Sequence, residues 1–116
     1  MSELFKKDTV IRVDECLKKF KSDLKIIALE TTARTAKDAA NSLKCELGAI
    51  VKSLVFKAEN EFLICLIAGD KRCSLNKLKK TLNKKDVSMA NANEVKEITG
   101  FSIGGVSPIG HLNKLD

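Results

Sequence analysis

The chain has no tryptophan and no tyrosine, and only one histidine and one proline in 116 residues. Five phenylalanines make up its whole aromatic complement, a poor supply for a platform on which single-stranded bases stack. One histidine, His111, removes any metal site built on several imidazoles. No apolar run approaches the ~20 residues of a membrane helix, and the first eight residues lack the apolar stretch of a signal peptide. The expected location is the cytoplasm, with no membrane partner. Four cysteines, Cys16, Cys45, Cys65 and Cys73, show no C-x-x-C spacing, and three sit inside apolar patterns. That predicts buried, reduced thiols rather than disulfides or a zinc site. The glycine patterns of phosphate and dinucleotide loops are also missing.

What remains is an ordinary globular composition, 44% hydrophobic and 31% charged, in a length that suits one domain over residues 1–116. The net charge is +6 and the pI about 9.2, which favours a polyanionic partner. Basic charge without stacking groups points to phosphate contacts more than to base readout.

Along the chain, Thr9 is placed to cap a helix with Val10, Val13, Leu17 and Phe20 on its apolar face. Residues 24–29 read as a strand. Thr35 with Asp38 three positions on resembles a capping box for an Ala-rich helix ending near Leu43. Residues 49–57 and 61–68 read as an antiparallel hairpin. The second of these strands is apolar on both faces and is expected to be central. Ser74 caps a helix with Leu75, Leu78 and Leu82 inside, while Lys77, Lys79, Lys80, Lys84 and Lys85 form a basic surface, either solvated or in contact with a partner. Val87–Ala90 is a short strand. Asn91 or Asn93 caps the last helix, which Gly100 closes.

Two stretches stand out chemically. In residues 50–56, alternation puts Lys52 on one face with Ile50, Leu54 and Phe56, where it either snorkels to solvent or is held for its charge. The second is the glycine-rich segment Gly104-Gly105-Val106-Ser107-Pro108-Ile109-Gly110-His111, and the fold is expected to bring the two together. Adjacent glycines allow a ligand to approach the main chain closely, and the Val106 and Ser107 amides can point at a carbonyl or carboxylate. Ser107 is a poor nucleophile candidate, because Pro108 after it has no N–H for an oxyanion hole. His111 reads as a surface or loop residue. The acidic pairs Asp14/Glu15 and Glu59/Glu61 give no support for a carboxylate dyad.

Four motifs in order carry a resemblance: Thr32-Ala33-Arg34-Thr35-Ala36, Ile50-Val51-Lys52-Ser53-Leu54-Val55-Phe56, Ala68-Gly69-Asp70-Lys71-Arg72, and Thr99-Gly100-Phe101-Ser102-Ile103-Gly104-Gly105-Val106-Ser107-Pro108-Ile109-Gly110-His111. From about residue 5 to 111 the chain resembles the YbaK/ProX family of aminoacyl-tRNA editing domains, related to the insertion domain of bacterial prolyl-tRNA synthetase. The resemblance implies an α+β fold, with a curved, mixed sheet closing toward a barrel and flanked by helices. It implies hydrolysis of the ester joining a wrong amino acid to tRNA, Cys- or Ala-tRNA(Pro) being candidates. Lys52 matches the family's functional lysine, and Gly104-x-x-x-Pro108 matches the loop that cradles the aminoacyl group, so Gly104, Gly105, Val106, Ser107 and Pro108 are the expected substrate-binding residues. Neither cofactor nor metal is implied. Mischarged tRNA is the expected partner, with prolyl-tRNA synthetase a second. Family domains continue past this loop with further strands and an acidic residue, so this chain is expected to lack those strands. A non-catalytic relative that binds tRNA or a synthetase is the alternative.

Overall fold

The computed structural model describes residues 4–29 and 35–115. Its centre is a hairpin of β1 (Val51–Ala58) and β2 (Glu61–Ala68), in antiparallel register from Val51 opposite Ala68 to Ala58 opposite Glu61. The connection is only Glu59-Asn60, and Glu59 takes a left-handed conformation to close it. A third strand, β3 (Val87–Met89), pairs antiparallel along the other edge of β1, giving the order β2-β1-β3. Two flanking bonds, Glu59 N–H to Asp86 O and Ala90 N–H to Val55 O, extend that seam.

Four α-helices surround the described sheet: α1 (Asp8–Phe20), α2 (Ala36–Leu43), α3 (Leu75–Leu82) and α4 (Ala92–Thr99). The class is α+β, as the sequence implies. Both strand pairings are antiparallel, so the mixed character expected of the sheet is not seen in these three strands.

Short polar residues start three of the helices by taking up backbone amides that have no partner within the helix. Thr35 Oγ1 accepts from Asp38 N–H at 3.1 Å, and Ser74 Oγ from Lys77 N–H at 3.3 Å. Asn91 accepts from Glu94 N–H at 2.8 Å while the Glu94 carboxylate accepts from Asn91 N–H at 2.9 Å, a complete capping box. Gly100, at φ 78°, closes α4 as expected.

Several expectations are corrected. Thr9 is not a cap: α1 already begins at Asp8, preceded by Lys7 with no side-chain cap bond. Asp8 sits at the positive pole and pairs with Arg12 at 2.9 Å, which supplies the favourable interaction that a cap would otherwise give. Phe20 is 84% exposed, because the helix stops there and no element covers its last turn. Residues 24–29 join no strand of the described sheet; β-propensity needs a neighbouring ladder to be realised. The central strand is β1, not β2. Cys45 is exposed and none of the four thiols is fully buried, though all four are free.

The two faces of β1 build two cores. Phe56 and Ala58, with Val87, pack under Leu78 and Leu82 of α3, joined by Leu54, Leu63, Cys65 and Cys73. There the Cys65 thiol is pushed up in pKa, first by burial and then by its hydrogen-bonded neighbour Cys73. On the opposite face Val55 packs with Ala90 and Val95, joined by Phe62 and Val106.

Candidate active site

β1 reaches the site through its first half. A cavity of about 360 Å³ opens there, walled by Ile50 and residues 51–55 of the strand, by Thr35, Ala36 and Ala39 at the start of α2, and by Ile103, Gly104 and Val106 of the loop after α4. Met89, Ala90 and Val95 close its floor. The wall is chiefly aliphatic, as small-ligand sites are.

Lys52 is half-buried and its side chain is anchored: Nζ donates to the carbonyl of Lys71 at 2.7 Å. That carbonyl lies in the segment between β2 and α3, so the ammonium is held by hydrogen bonding in the absence of any carboxylate within ion-pair distance among the described residues. One residue along, Ser53 carries a buried Oγ with no hydrogen-bond partner among the described residues. Nothing in the sequence distinguishes Ser53; an orphaned hydroxyl costs about 1–3 kcal/mol and can be recognised only once the fold is known.

The loop from Gly100 to His111 is built by its own polar atoms. Gly105 N–H donates to Ser102 O at 2.9 Å. Ser107 Oγ accepts from Ile109 N–H at 3.2 Å, and the His111 ring nitrogen Nε2 donates to Ser107 O at 2.6 Å. Ser107 and His111 thus shape the turn around Pro108. The left-handed member of the glycine pair is Gly104, at φ 85°, where a side chain would be strained. The amides of Val106 and Ser107 have no backbone acceptor among the described residues.

The loop is a partition. Gly104 and Val106 share a cavity with Lys52, whereas Gly105, Val106 and Ser107 line a second one of about 310 Å³ with Thr9, Val10, Val13, Ile26 and Phe101. The expected meeting of Lys52 with the loop therefore holds at Gly104 and Val106. Pro108 is exposed and lines neither cavity.

Away from the cavity, Lys77, Lys80 and Lys85 are exposed along and just after α3, with Lys79 and Lys84 half-buried beside them. This is the basic surface read from the sequence. Among the described residues, no helix is long and apolar enough to cross a membrane, and no three His, Cys, Asp or Glu side chains are grouped as metal ligands would be.

A three-stranded antiparallel sheet, an aliphatic cavity on its central strand, a lysine in the cavity wall and a glycine loop beside it characterise this α+β domain. The chain belongs to the aminoacyl-tRNA editing domain family, whose model matches residues 30–116. It is similar to the proline--tRNA ligase of Caldicellulosiruptor saccharolyticus, 32% identical over 77 residues that cover 66% of this chain and 14% of that one. The ligase of Thermosipho africanus is 39% identical over 77 residues, with the same coverage. A solved structure of a candidate trans-editing enzyme for prolyl-tRNA synthetase superposes with a TM-score of 0.87 at 38% identity, covering 94% of this chain and 69% of that one. The chain thus spans about 14% of the length of these ligases.

Proposed function

We propose that the protein is a trans-acting aminoacyl-tRNA deacylase that hydrolyses the ester of mischarged tRNA. The observation that carries this reading is the shared wall of one cavity: Lys52 on one side, Gly104 and Val106 on the other, and aliphatic side chains between. The volume of about 360 Å³ is ample for an aminoacyl group. Water attacks the ester carbonyl carbon, one of its protons passing to the ribose oxygen that leaves and the other to solvent. The bond to the ribose oxygen breaks, the amino acid leaves as a carboxylate, and the tRNA regains its hydroxyl. Free amides of the loop are donors for the oxygen that gains charge in the transition state. The Lys52 ammonium exchanges the Lys71 carbonyl for the terminal phosphate or for the reacting group.

Phosphate contacts from the α3 lysines would hold the tRNA body, so binding should weaken steeply with salt. The substrates we favour are Cys- or Ala-tRNA(Pro), and prolyl-tRNA synthetase is the enzyme whose errors such a protein would clear. The test is turnover of a panel of Cys, Ala, Pro, Ser and Thr esters of tRNA. Hydrolysis of at least one, well above its spontaneous rate, supports the reading; none above background overturns it. Because Lys52 already has an acceptor at 2.7 Å in Lys71, a binding-only role is the second reading, and salt-sensitive tRNA binding without turnover would select it.

A further inference from the structure

The loop carrying Gly104 is fixed at its base and, among the described residues, little supported at its tip. Among those residues a Cβ built on Gly104 would meet nothing within 4 Å, and one on Gly105 would meet only the Ser102 carbonyl oxygen at 3.6 Å. Ile103 beside them is 51% exposed, and the second cavity lies behind the tip. Close packing, which positions most protein segments, holds Val106 against the core but not the Ile103–Gly105 tip. Where the tip lies over the Lys52 cavity must be set by Val106 and by how the loop is held at its ends.

Both ends meet at a single side chain from α1. Arg12 donates from Nε to Gly110 O at 3.2 Å, where the loop leaves, and from NH2 to Thr99 O at 3.4 Å, where it begins. The face of the same guanidinium lies 4.8 Å from the centre of the Phe101 ring, and the His111 ring meets that ring edge-on at 6.0 Å. Thr99 O also accepts from Leu112 N–H at 3.1 Å, so the two ends of the loop are joined beneath the arginine. Left-handed glycines at either side, Gly100 and Gly110, leave room for this approach. A Cβ at Gly100 would come within 2.5 Å of the guanidinium, and one at Gly110 within 3.3 Å of the Arg12 carbonyl group. The Arg12 side chain is only 19% exposed and lines neither cavity.

We propose that Arg12 is a positioning residue, which sets the placement of the Gly104–Pro108 loop over the Lys52 cavity by clamping both ends of the loop to α1. It acts through the loop and touches no reacting group. Its helix lies outside the stretch matched by the family model, residues 30–116. A planar fork spans two carbonyls from separate nitrogens while lying over a ring; a lysine ammonium has three donors but is a compact point charge that cannot reproduce that span. The kinetic consequence rests on the deacylase reading, whereas the structural one does not.

The test compares Arg12→Met and Arg12→Lys with two controls. Asp8→Asn removes only the exposed ion pair of Arg12, and Leu82→Ala weakens the distant core under α3. Amide exchange read at Gly105 and Leu112, whose N–H groups are bonded within the loop and its base, should quicken about tenfold or more in Arg12→Met, as expected for a local opening. Leu82→Ala should lower the melting temperature without that selective effect. In deacylation, Arg12→Met should lose about tenfold in kcat with less than about a twofold change in KM, the mark of misplacement rather than lost binding. Arg12→Lys should recover melting temperature but not kcat, and Asp8→Asn should keep both. Loop exchange in Arg12→Met no faster than in Leu82→Ala at equal melting temperature would overturn the proposal, as would full kcat in Arg12→Lys. If the wild type turns over no ester, the deacylase reading fails, and the exchange comparison alone decides the role of Arg12.

Discussion

The two faces of β1 are made from neighbouring residues of one strand and end in opposite conditions. On the even-numbered face, Phe56 and Ala58 are each 2% exposed beneath Leu78 and Leu82. On the odd-numbered face, Val55 is as well buried, at 3%, but four residues earlier Val51 is 56% exposed. Its cross-strand neighbours change in step: Ile64 beside Val55 is half-buried, whereas Leu66 beside Ser53 is exposed. A helix runs over one face, while α4 and its loop cover only part of the other. The strand thus supplies a core where it is covered and, toward its uncovered start, a site that draws on both faces, Lys52 from the even one and Ser53, with its unpaired Oγ, from the odd one.

Substitutions can separate the two roles. The largest effect belongs to the covered face: Phe56→Ala should cost about 3–5 kcal/mol, because the well-packed surroundings cannot collapse into the void. Chemical denaturation should show this as a lower midpoint at unchanged slope. A loss below about 1 kcal/mol would mean that face is no more tightly built than the other. Next is Lys52→Met, where ester hydrolysis should fall by roughly two orders of magnitude, the scale for losing one preorganised electrostatic group. Its stability should change little, since the bond given up is a single hydrogen bond to Lys71 O, worth about 0.5–1.5 kcal/mol net, or more for a charged donor. Lys52→Arg should rescue poorly, because its fork reaches a different place. Paired melting and kinetic measurements decide whether Lys52 belongs to the core or to the site.

The glycine pair sharpens the comparison further. Gly104→Val forces a branched side chain to φ 85° and should cost about 1–3 kcal/mol in local strain. Gly105→Val meets only Ser102 O at 3.6 Å and should melt like wild type. Lost activity in a folded Gly105→Val protein would then report close approach of substrate to that main chain, and full activity would remove Gly105 from the site.

The smallest effect is electrostatic. Asn91 N–H holds the Glu94 carboxyl below its usual pKa of 4.5; desolvation opposes it, and Lys57 at 3.4 Å adds to the lowering. A depressed folded-state pKa adds stability above the unfolded value and loses it as pH falls through the folded one. Glu94→Gln should therefore lower the melting temperature slightly above pH 4.5 and flatten the acid limb, the two proteins converging as pH falls. An unchanged acid limb would remove Glu94 as its source.

The features legible in the sequence are the local ones. Thr35, Ser74, Asn91 and Gly100 mark helix ends because each makes its bond within a few residues, and the hairpin follows from two β-rich runs with a short polar break. What depends on distant partners was not legible. β2 reads as central because it is apolar on both sides, yet β3 pairs with β1 and leaves Leu66 at an edge. Residues 24–29 have the composition of a strand, without a ladder to join in the described sheet. In the site, Lys52 and the loop announce themselves by type and spacing. The anchor at Lys71 O, the orphaned Ser53 hydroxyl and the bonds of Arg12 to residues 87 and 98 positions away leave no local trace.

A loop knotted at its base and unpacked at its tip behaves like a socket with an interchangeable bit. Because the Thr99–Leu112 bond and the Arg12 clamp fix the two ends, changes of length or sequence between Ser102 and Gly105, short of Val106 and its core contacts, need not be transmitted to the sheet. Loops in general accept insertions more readily than the elements they join, and here the frame is already closed on both sides. Related tips could be exchanged on this frame to vary what the cavity admits, while the fold below keeps its own stability.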